Sequence, residues 1–279
     1  MHTIDQALQA ARKRIEPVSS SSSLDAQVLL AEILGANRAY LLAHGDEALT
    51  SKQHDRYCTF VERCAAGEPV AYILGRRAFY DRDIIVSPAV LIPRPETELL
   101  LEAVLAAVEK QPQVIAVDVG TGSGALAVTL AAHCPQATVY ATDSSPPALD
   151  IARKNAARHN VNVIFMQGDL LQPLIQRNIR IDILMANLPY IASDALPALA
   201  VSRYEPLAAL DGGSDGLVVI RRLLEQAPTV CQPGTQVLLE IGADQEDAVR
   251  KLVVDSLSPR KVDVRKDYAG HDRIVHAVC

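Results

Sequence analysis

From residue 114 to the end, the chain alternates short apolar runs with amphipathic stretches, and this alternation constrains the fold more than any other feature. Strand-like segments at 114–119, 138–142, 161–166, 180–186 and 236–241 are interleaved with helix-like segments near 124–133, 146–159, 216–227 and 244–254. Such a series, with short connections, calls for a mostly parallel sheet with helices on both faces. The final strand-like pair, 261–265 and 273–278, is joined by too few residues for a crossover helix, so these two strands pair antiparallel or lie apart.

The first seventy residues read differently. Ile4, Leu8, Ala11 and Ile15, then Leu24, Val28, Leu29, Ala31, Ile33 and Leu34, recur at helical spacing, and Gly35 and Gly45 fall where helices would end. A small all-helical domain over 1–76 is expected. The serine run 19–23 precedes a helical pattern starting at Leu24, with Ser22 or Ser23 as its cap. Residues 77–95 hold the extended-type runs 78–80, 84–86 and 90–92, which suit a small hairpin linking that domain to a larger one at 96–279, whose first helix runs from Glu96 to Val108.

Composition limits the functions open to such a fold. A net charge of −6 provides no basic footprint for wrapping nucleic acid. The five cysteines form no Cys-x-x-Cys pair and leave an odd thiol, which fits a reducing compartment. No segment has the apolar length of a signal peptide or membrane span. A soluble, cytoplasmic protein is expected.

Chemistry concentrates at two strand ends. Asp118-Val119-Gly120-Thr121-Gly122-Ser123-Gly124 follows one strand and opens a helix, so its glycines allow close backbone approach and its free amides can meet a ligand. Its spacing is G-x-G-x-G, not the G-x-G-x-x-G of dinucleotide folds. Asp118 could orient the loop amides or satisfy the strand end. Asp143 ends the next strand, where it can accept from a ribose hydroxyl pair, cap the following helix, or both. Gly168-Asp169-Leu170 ends the third strand, and Asp169 is either an adenine acceptor or a turn residue.

The second strand end is Asn187-Leu188-Pro189-Tyr190, after the apolar run 181–186. An amide or aniline-like nitrogen is a poor nucleophile because its lone pair is delocalised. Two acceptors aimed at its N–H bonds favour the charge that develops as it attacks. The Asn187 side-chain carbonyl and the backbone carbonyl of Leu188 can supply them, with Tyr190, held by Pro189, packing on the planar group. A glutamine amide and an adenine amine suit this arrangement equally.

The loop spacing, and an open parallel sheet closed by an antiparallel hairpin, resemble the S-adenosylmethionine-dependent methyltransferases, with their Rossmann-like seven-stranded sheet and antiparallel last strand. More specifically, the chain resembles the release factor glutamine methyltransferases nearly from end to end. Residues 68–75, 91–98 (Leu-Ile-Pro-Arg-Pro-Glu-Thr-Glu), 205–210, 212–217, 239–242 and 269–273 carry the likeness with the loop and the tetrapeptide. The resemblance implies methyl transfer from S-adenosylmethionine to the side-chain amide nitrogen of the glutamine in the Gly-Gly-Gln motif of bacterial class 1 peptide chain release factors, giving S-adenosylhomocysteine.

By the same resemblance, Gly120, Thr121, Gly122, Ser123, Gly124, Asp143, Asp169, Leu170 and Asn187 bind cofactor. Asn187, Leu188, Pro189 and Tyr190 bind the substrate glutamine, with Asn187, Pro189 and Tyr190 as the catalytic set. The helical domain helps hold the release factor, and residues 94–98 lie by the cofactor or simply start a helix. The expected enzyme is a monomer using no metal, no membrane and no direct nucleic-acid contact.

Two residues depart from the family pattern. Leu188 stands where the family usually has the first proline of Asn-Pro-Pro-Tyr, and Leu170 stands near the place of a frequent Trp. Asn-Leu-Pro-Tyr is also the form seen in ribosomal RNA adenine dimethyltransferases, so an adenine N-methyltransferase is one alternative. A glutamine methyltransferase of a ribosomal protein is the other.

Overall fold

The computed structural model describes residues 2–109, 111 and 113–279; Met1, the first residue of the expected helical domain, lies outside the described residues. The chain forms two compact units, one ending at Arg76 and the other spanning Arg77–Cys279.

The first unit consists of α1 (Ile4–Ile15), α2 (Ser22–Leu34), α3 (Arg38–Ala43), α4 (Ser51–Ala65) and α5 (Val70–Leu74). Thr3 and Thr50 form capping boxes with Gln6 and Gln53, so α1 and α4 start where two orphan amides are met reciprocally. Ile4, Ile15, Leu29, Leu30 and Leu41 are fully buried in its core, and the buried Tyr57 directs its hydroxyl to the Ala26 carbonyl at 3.0 Å. The serine run behaves differently from expectation. Helix α2 begins at Ser22, and the side chain of Ser21 at its N-cap accepts from no helix amide. Instead the Ser19 and Ser21 hydroxyls donate to the Asp25 carboxylate, a stronger acceptor than a helix amide is a donor.

The second unit opens with a hairpin, β1 (Arg76–Phe79) and β2 (Arg82–Ile85). The third extended run, 90–92, is not a strand. Val90 N–H closes a turn onto Ser87, and Ile92 N–H donates to the side chain of Glu205 at 3.0 Å, so neither amide is free for a ladder. Helix α6 (Pro95–Val108) starts one residue earlier than expected, with Pro95 in its first turn, where a missing N–H costs nothing.

The remainder is β3 (Ile115–Val119), α7 (Ala125–His133), β4 (Thr138–Asp143), α8 (Pro146–Arg158), β5 (Ile164–Gln167), α9 (Gln172–Ile175), β6 (Ile181–Ala186), α10 (Val218–Val230), β7 (Cys231–Glu240), α11 (Glu246–Leu257), β8 (Lys261–Lys266) and β9 (Asp272–Val278). Short 3-10 turns occupy the stretch from Leu196 to Ala209. The seven-stranded sheet has the order β5-β4-β3-β6-β7-β9-β8. Strands β3 to β7 are parallel, and β9 inserts antiparallel between β7 and β8.

Two strands of this sheet differ from the expected extent by more than one residue. Strand β5 begins three residues later than its apolar run, because α8 closes with Val161 N–H on Ala156 and Asn160 in a left-handed turn. Strand β7 begins earlier, since its register against β6 shifts after Ile181 and admits Cys231.

Helices α6 to α8 pack successively together, and α9 and α11 both pack against α10. Val117, Val119, Leu184, Ala186, Val237 and Leu239 face the latter group with Leu223, Leu224, Val249 and Val253, all buried. Each such valine or leucine contributes about 1.5–3 kcal/mol. Because β4 and β6 flank β3, the strand order reverses there. The crevice at the carboxyl ends of β3, β4 and β6 is where an open sheet of this kind binds ligands.

Candidate active site

A cavity of about 300 Å³ lies at that reversal. Its wall includes Gly120, Thr121, Gly122 and Ser123 after β3, Asp143 at the end of β4, Asp169 and Leu170 after β5, and Asn187, Leu188 and Pro189 after β6. The structure thus brings most of the sequence candidates together. Gly124 and Tyr190 are not on the wall.

The loop is held from below and from the side. Asp118, buried at the end of β3, accepts from the Thr121 hydroxyl at 2.6 Å and from Ala127 N–H at 3.3 Å. Burial pushes its carboxyl up to about 7 against the pull of those two bonds. Asp143 accepts from Gly122 N–H and from Ser145 N–H, each at 2.9 Å, and its carboxyl is raised chiefly by burial. Each carboxylate oxygen keeps a second lone pair, so the residue can brace the loop and still accept from a ligand hydroxyl. The sequence left open whether Asp143 caps α8, binds a ligand, or both; the cap is Ser145, whose hydroxyl accepts from Ala148 N–H at 3.3 Å, and Asp143 instead holds the Ser145 N–H.

Gly120 has φ +71, and a Cβ there would sit 2.9 Å from Leu188 Cδ2. Gly124, at φ +79, would meet Ala152 Cβ at 3.0 Å, so its role is close packing of the loop on α8. Leu188 is 4% exposed and belongs to the sheet core. The departure from proline therefore fills space beneath the loop.

Asp169 is exposed and receives the Arg222 guanidinium at 2.6 Å. Arg222 projects from α10 onto the same wall. Leu170, at φ +51 and buried, offers the wall an aliphatic surface.

Asn187 donates from Nδ2 to Thr97 Oγ1 at 2.9 Å. The carbonyl of Tyr190 is fixed by Gln245 Nε2 at 2.9 Å, and burial raises the Tyr190 phenol, with the nearby Glu240 charge adding to the effect. Arg94 pairs with Glu205, whose carboxylate also holds Ile92 N–H, so 92–94 are drawn onto the cavity edge by one buried acid. Asn155, fully buried on α8, donates to the carbonyls of Ile85 and Ser123 at 2.9 Å and accepts from Ile85 N–H at 2.7 Å. It ties β2 to the glycine loop.

Asn155 and Arg222 were not singled out from the sequence; Thr97 entered only within 94–98, and Glu205 and Glu240 only within segments 205–210 and 239–242, without roles of their own. Glu205 and Glu240 did carry a signal: each is an acid placed within or beside an apolar run, which is uncommon unless it is paired. Among the described residues no group of three or more His, Cys, Asp or Glu side chains is arranged to hold a metal, and no helix is long and apolar enough to cross a membrane.

The PrmC N-terminal domain model matches residues 6–75, and a methyltransferase domain model matches 116–205. A release factor glutamine methyltransferase of Moorella thermoacetica is 43% identical over 275 residues, covering 97% of this chain and 96% of that one. One of Bacillus subtilis is 39% identical, covering 100% and 98%. Among solved structures, a Pyrococcus furiosus methyltransferase superposes with a TM-score of 0.52 at 18% identity, covering 72% of this chain and 90% of that chain. A Thermus thermophilus 16S rRNA N2 G1207 methyltransferase, in complex with AdoMet and guanosine, superposes with a TM-score of 0.54 at 18% identity, covering 73% and 49%. These two likenesses concern the fold.

Proposed function

Since the chain belongs to the family of release factor glutamine methyltransferases, we propose that it methylates the side-chain amide nitrogen of the glutamine in the Gly-Gly-Gln motif of class 1 peptide chain release factors. The observation that carries this reading is the Asn187-Leu188-Pro189 corner, which shares one cavity wall with the glycine loop and Asp143. The wall fits S-adenosylmethionine, since Asp143 and the glycine loop give it polar lining and Leu170, Ala208 and Ala209 apolar lining. The amides of Gly120, Thr121, Gly122 and Gly124 are themselves taken by Thr142, Asp143 and Thr121, so the loop offers close backbone approach rather than the free donors expected from the sequence. When bound, the cofactor supplies an electrophilic sulfonium methyl.

The protein's part is orientation. Asn187 Oδ1 and the carbonyl of Leu188 accept the two amide N–H bonds of the substrate, concentrating charge on nitrogen as it approaches the methyl. Holding the groups at about 3–3.5 Å in line supplies much of the acceleration. No strong base is called for, because the proton can leave to water after transfer. Asp143 serves a ribose hydroxyl pair. Asp169 serves the adenine amine while shared with Arg222. Pro189 and Tyr190 shape the glutamine pocket.

The test is transfer of labelled methyl to a purified release factor, lost when its Gly-Gly-Gln glutamine becomes alanine. Labelling of a ribosomal protein or ribosomal RNA in its place overturns the reading. Asn187→Ala should cut transfer by about 100-fold or more while leaving cofactor affinity within a few-fold. An equal loss of cofactor affinity would make Asn187 mainly a cofactor ligand.

A further inference from the structure

Glu240 is the last residue of β7, 2% exposed, and its Oε2 has no hydrogen-bond partner. Buried carboxylates without a full set of partners are costly and call for an explanation. Its position suggests one. Strand β7 runs parallel to β6 with Leu239 opposite Ala186, so Glu240 and Asn187 leave the sheet side by side. The Thr97 hydroxyl and the Asn187 amide are the polar groups that favour the ionised Glu240 side chain, and Asn187 Nδ2 donates to Thr97 Oγ1 at 2.9 Å.

We infer that Glu240, acting through Thr97, is a positioning residue that sets which end of the Asn187 amide faces the substrate.

The reasoning is one of hydrogen-bond polarity. An asparagine amide can turn over with little steric cost, exchanging its acceptor for its donor. A pocket that must accept two N–H bonds works in only one of the two orientations. Thr97 has a single hydroxyl proton. Burial pushes the Glu240 carboxyl up to about 7, so above that pH it is a carboxylate that can only accept; it then claims that proton, and Thr97 Oγ1 is left to accept from Asn187 Nδ2. The nitrogen is thereby turned inward and Oδ1 is presented to the cavity. Were Glu240 an apolar residue, the Thr97 proton could donate to Oδ1 equally well, and the inverted amide would become available.

Other groups around the carboxylate do not replace this role. Glu96 on α6 is a like charge. Arg273 on β9 is committed to Asp267 at 2.8 Å, and Tyr190 after β6 is held un-ionised by burial.

The inference rests on the proposed glutamine chemistry, so its test has one arm with methyl transfer and one without. Glu240→Leu and Thr97→Val should each lower kcat by about 10- to 100-fold, the scale of a misplaced reacting group. Cofactor affinity should stay within about two-fold. Glu240→Gln, whose carbonyl can still take the Thr97 proton, should restore most of the loss. Neither change should lower kcat further in an Asn187→Ala background. The second arm follows exchange of the Asn187 side-chain amide protons by NMR on the full chain without substrate. They should be protected in the wild type and lose that protection in both variants.

Full-sized losses persisting beside Asn187→Ala, or unchanged protection of those protons, would overturn the inference. If the wild-type enzyme transfers no methyl to the release factor while the protons behave as expected, it is the substrate assignment that fails, not the role of Glu240.

Discussion

Alanine at Gly120 tests whether the loop and the tetrapeptide are one packed unit. An L-residue forced to φ +71 costs about 1–2 kcal/mol in backbone strain. The new Cβ would also lie 2.9 Å from Leu188 Cδ2, well inside the roughly 3.5–4.0 Å of an ordinary carbon contact. Leu188 is buried in the sheet core and cannot swing to solvent, so overpacking adds about 1–3 kcal/mol. The expected total is about 2–5 kcal/mol.

Gly122 supplies the control, with a similar φ of +55 but no atom within 4 Å of its Cβ, so Gly122→Ala should cost only about 1–2 kcal/mol. Urea unfolding of both variants, and of Gly120→Ala in a Leu188→Ala background, measures the difference directly. Trimming Leu188 should cut the cost of Gly120→Ala to that of Gly122→Ala. Gly120→Ala should also slow methyl transfer, because the displaced Leu188 carries a proposed acceptor carbonyl. Equal costs for the two single variants, or no coupling to position 188, would refute the packing argument.

Leu188→Pro keeps that carbonyl and removes a buried side chain. It should therefore lose about 1–3 kcal/mol in chemical denaturation while kcat stays within about three-fold; a collapse of kcat in folded protein would show that the leucine acts in the chemistry. The pH dependence of stability has a defined sign. Burial raises Glu240 to about 7, so the folded state holds this proton more tightly than the unfolded chain, whose carboxylates titrate near 4.3. Its contribution is complete below about pH 4 and is lost as pH rises toward 7, by roughly 4 kcal/mol at most. Asp118, also raised to about 7, adds in the same direction. Glu240→Gln should make the decline between pH 4 and 8 shallower in urea titrations, and an unaltered slope would mean that Glu240 is already ionised in the fold.

How far the sequence revealed this protein depends on the range of the interactions involved. The sheet was legible because its signals are local: apolar runs of strand length, amphipathic helices between them, and a last pair too closely joined for a crossover. Residues 90–92 misled because they have strand composition, whereas Ile92 N–H is taken by Glu205, more than a hundred positions away. Ser22 and Ser23 misled for the opposite reason, a local competitor: Asp25 draws the serine hydroxyls of Ser19 and Ser21.

The cavity wall was readable where it follows strand ends in order, as with Gly120, Asp143, Asp169 and Asn187. Segment 94–98 was readable only as a segment: it starts α6 and also brings Arg94 and Thr97 to the wall. Arg222 was not readable, because it reaches that wall from α10, and an arginine on a helix carries no sign of where its tip will lie.

The bond pattern of Asn155 bears on what may be cut or transplanted. Residues 82–85 sit before the first helix of the methyltransferase sheet and look dispensable as a connector. Yet Ile85 accounts for two of the three bonds that satisfy Asn155, the third being to Ser123 in the glycine loop. A fragment starting at residue 96 would leave a buried amide with vacant valences directly behind that loop. The smallest transplantable catalytic module therefore begins ahead of the hairpin, and a splice junction belongs near Arg76.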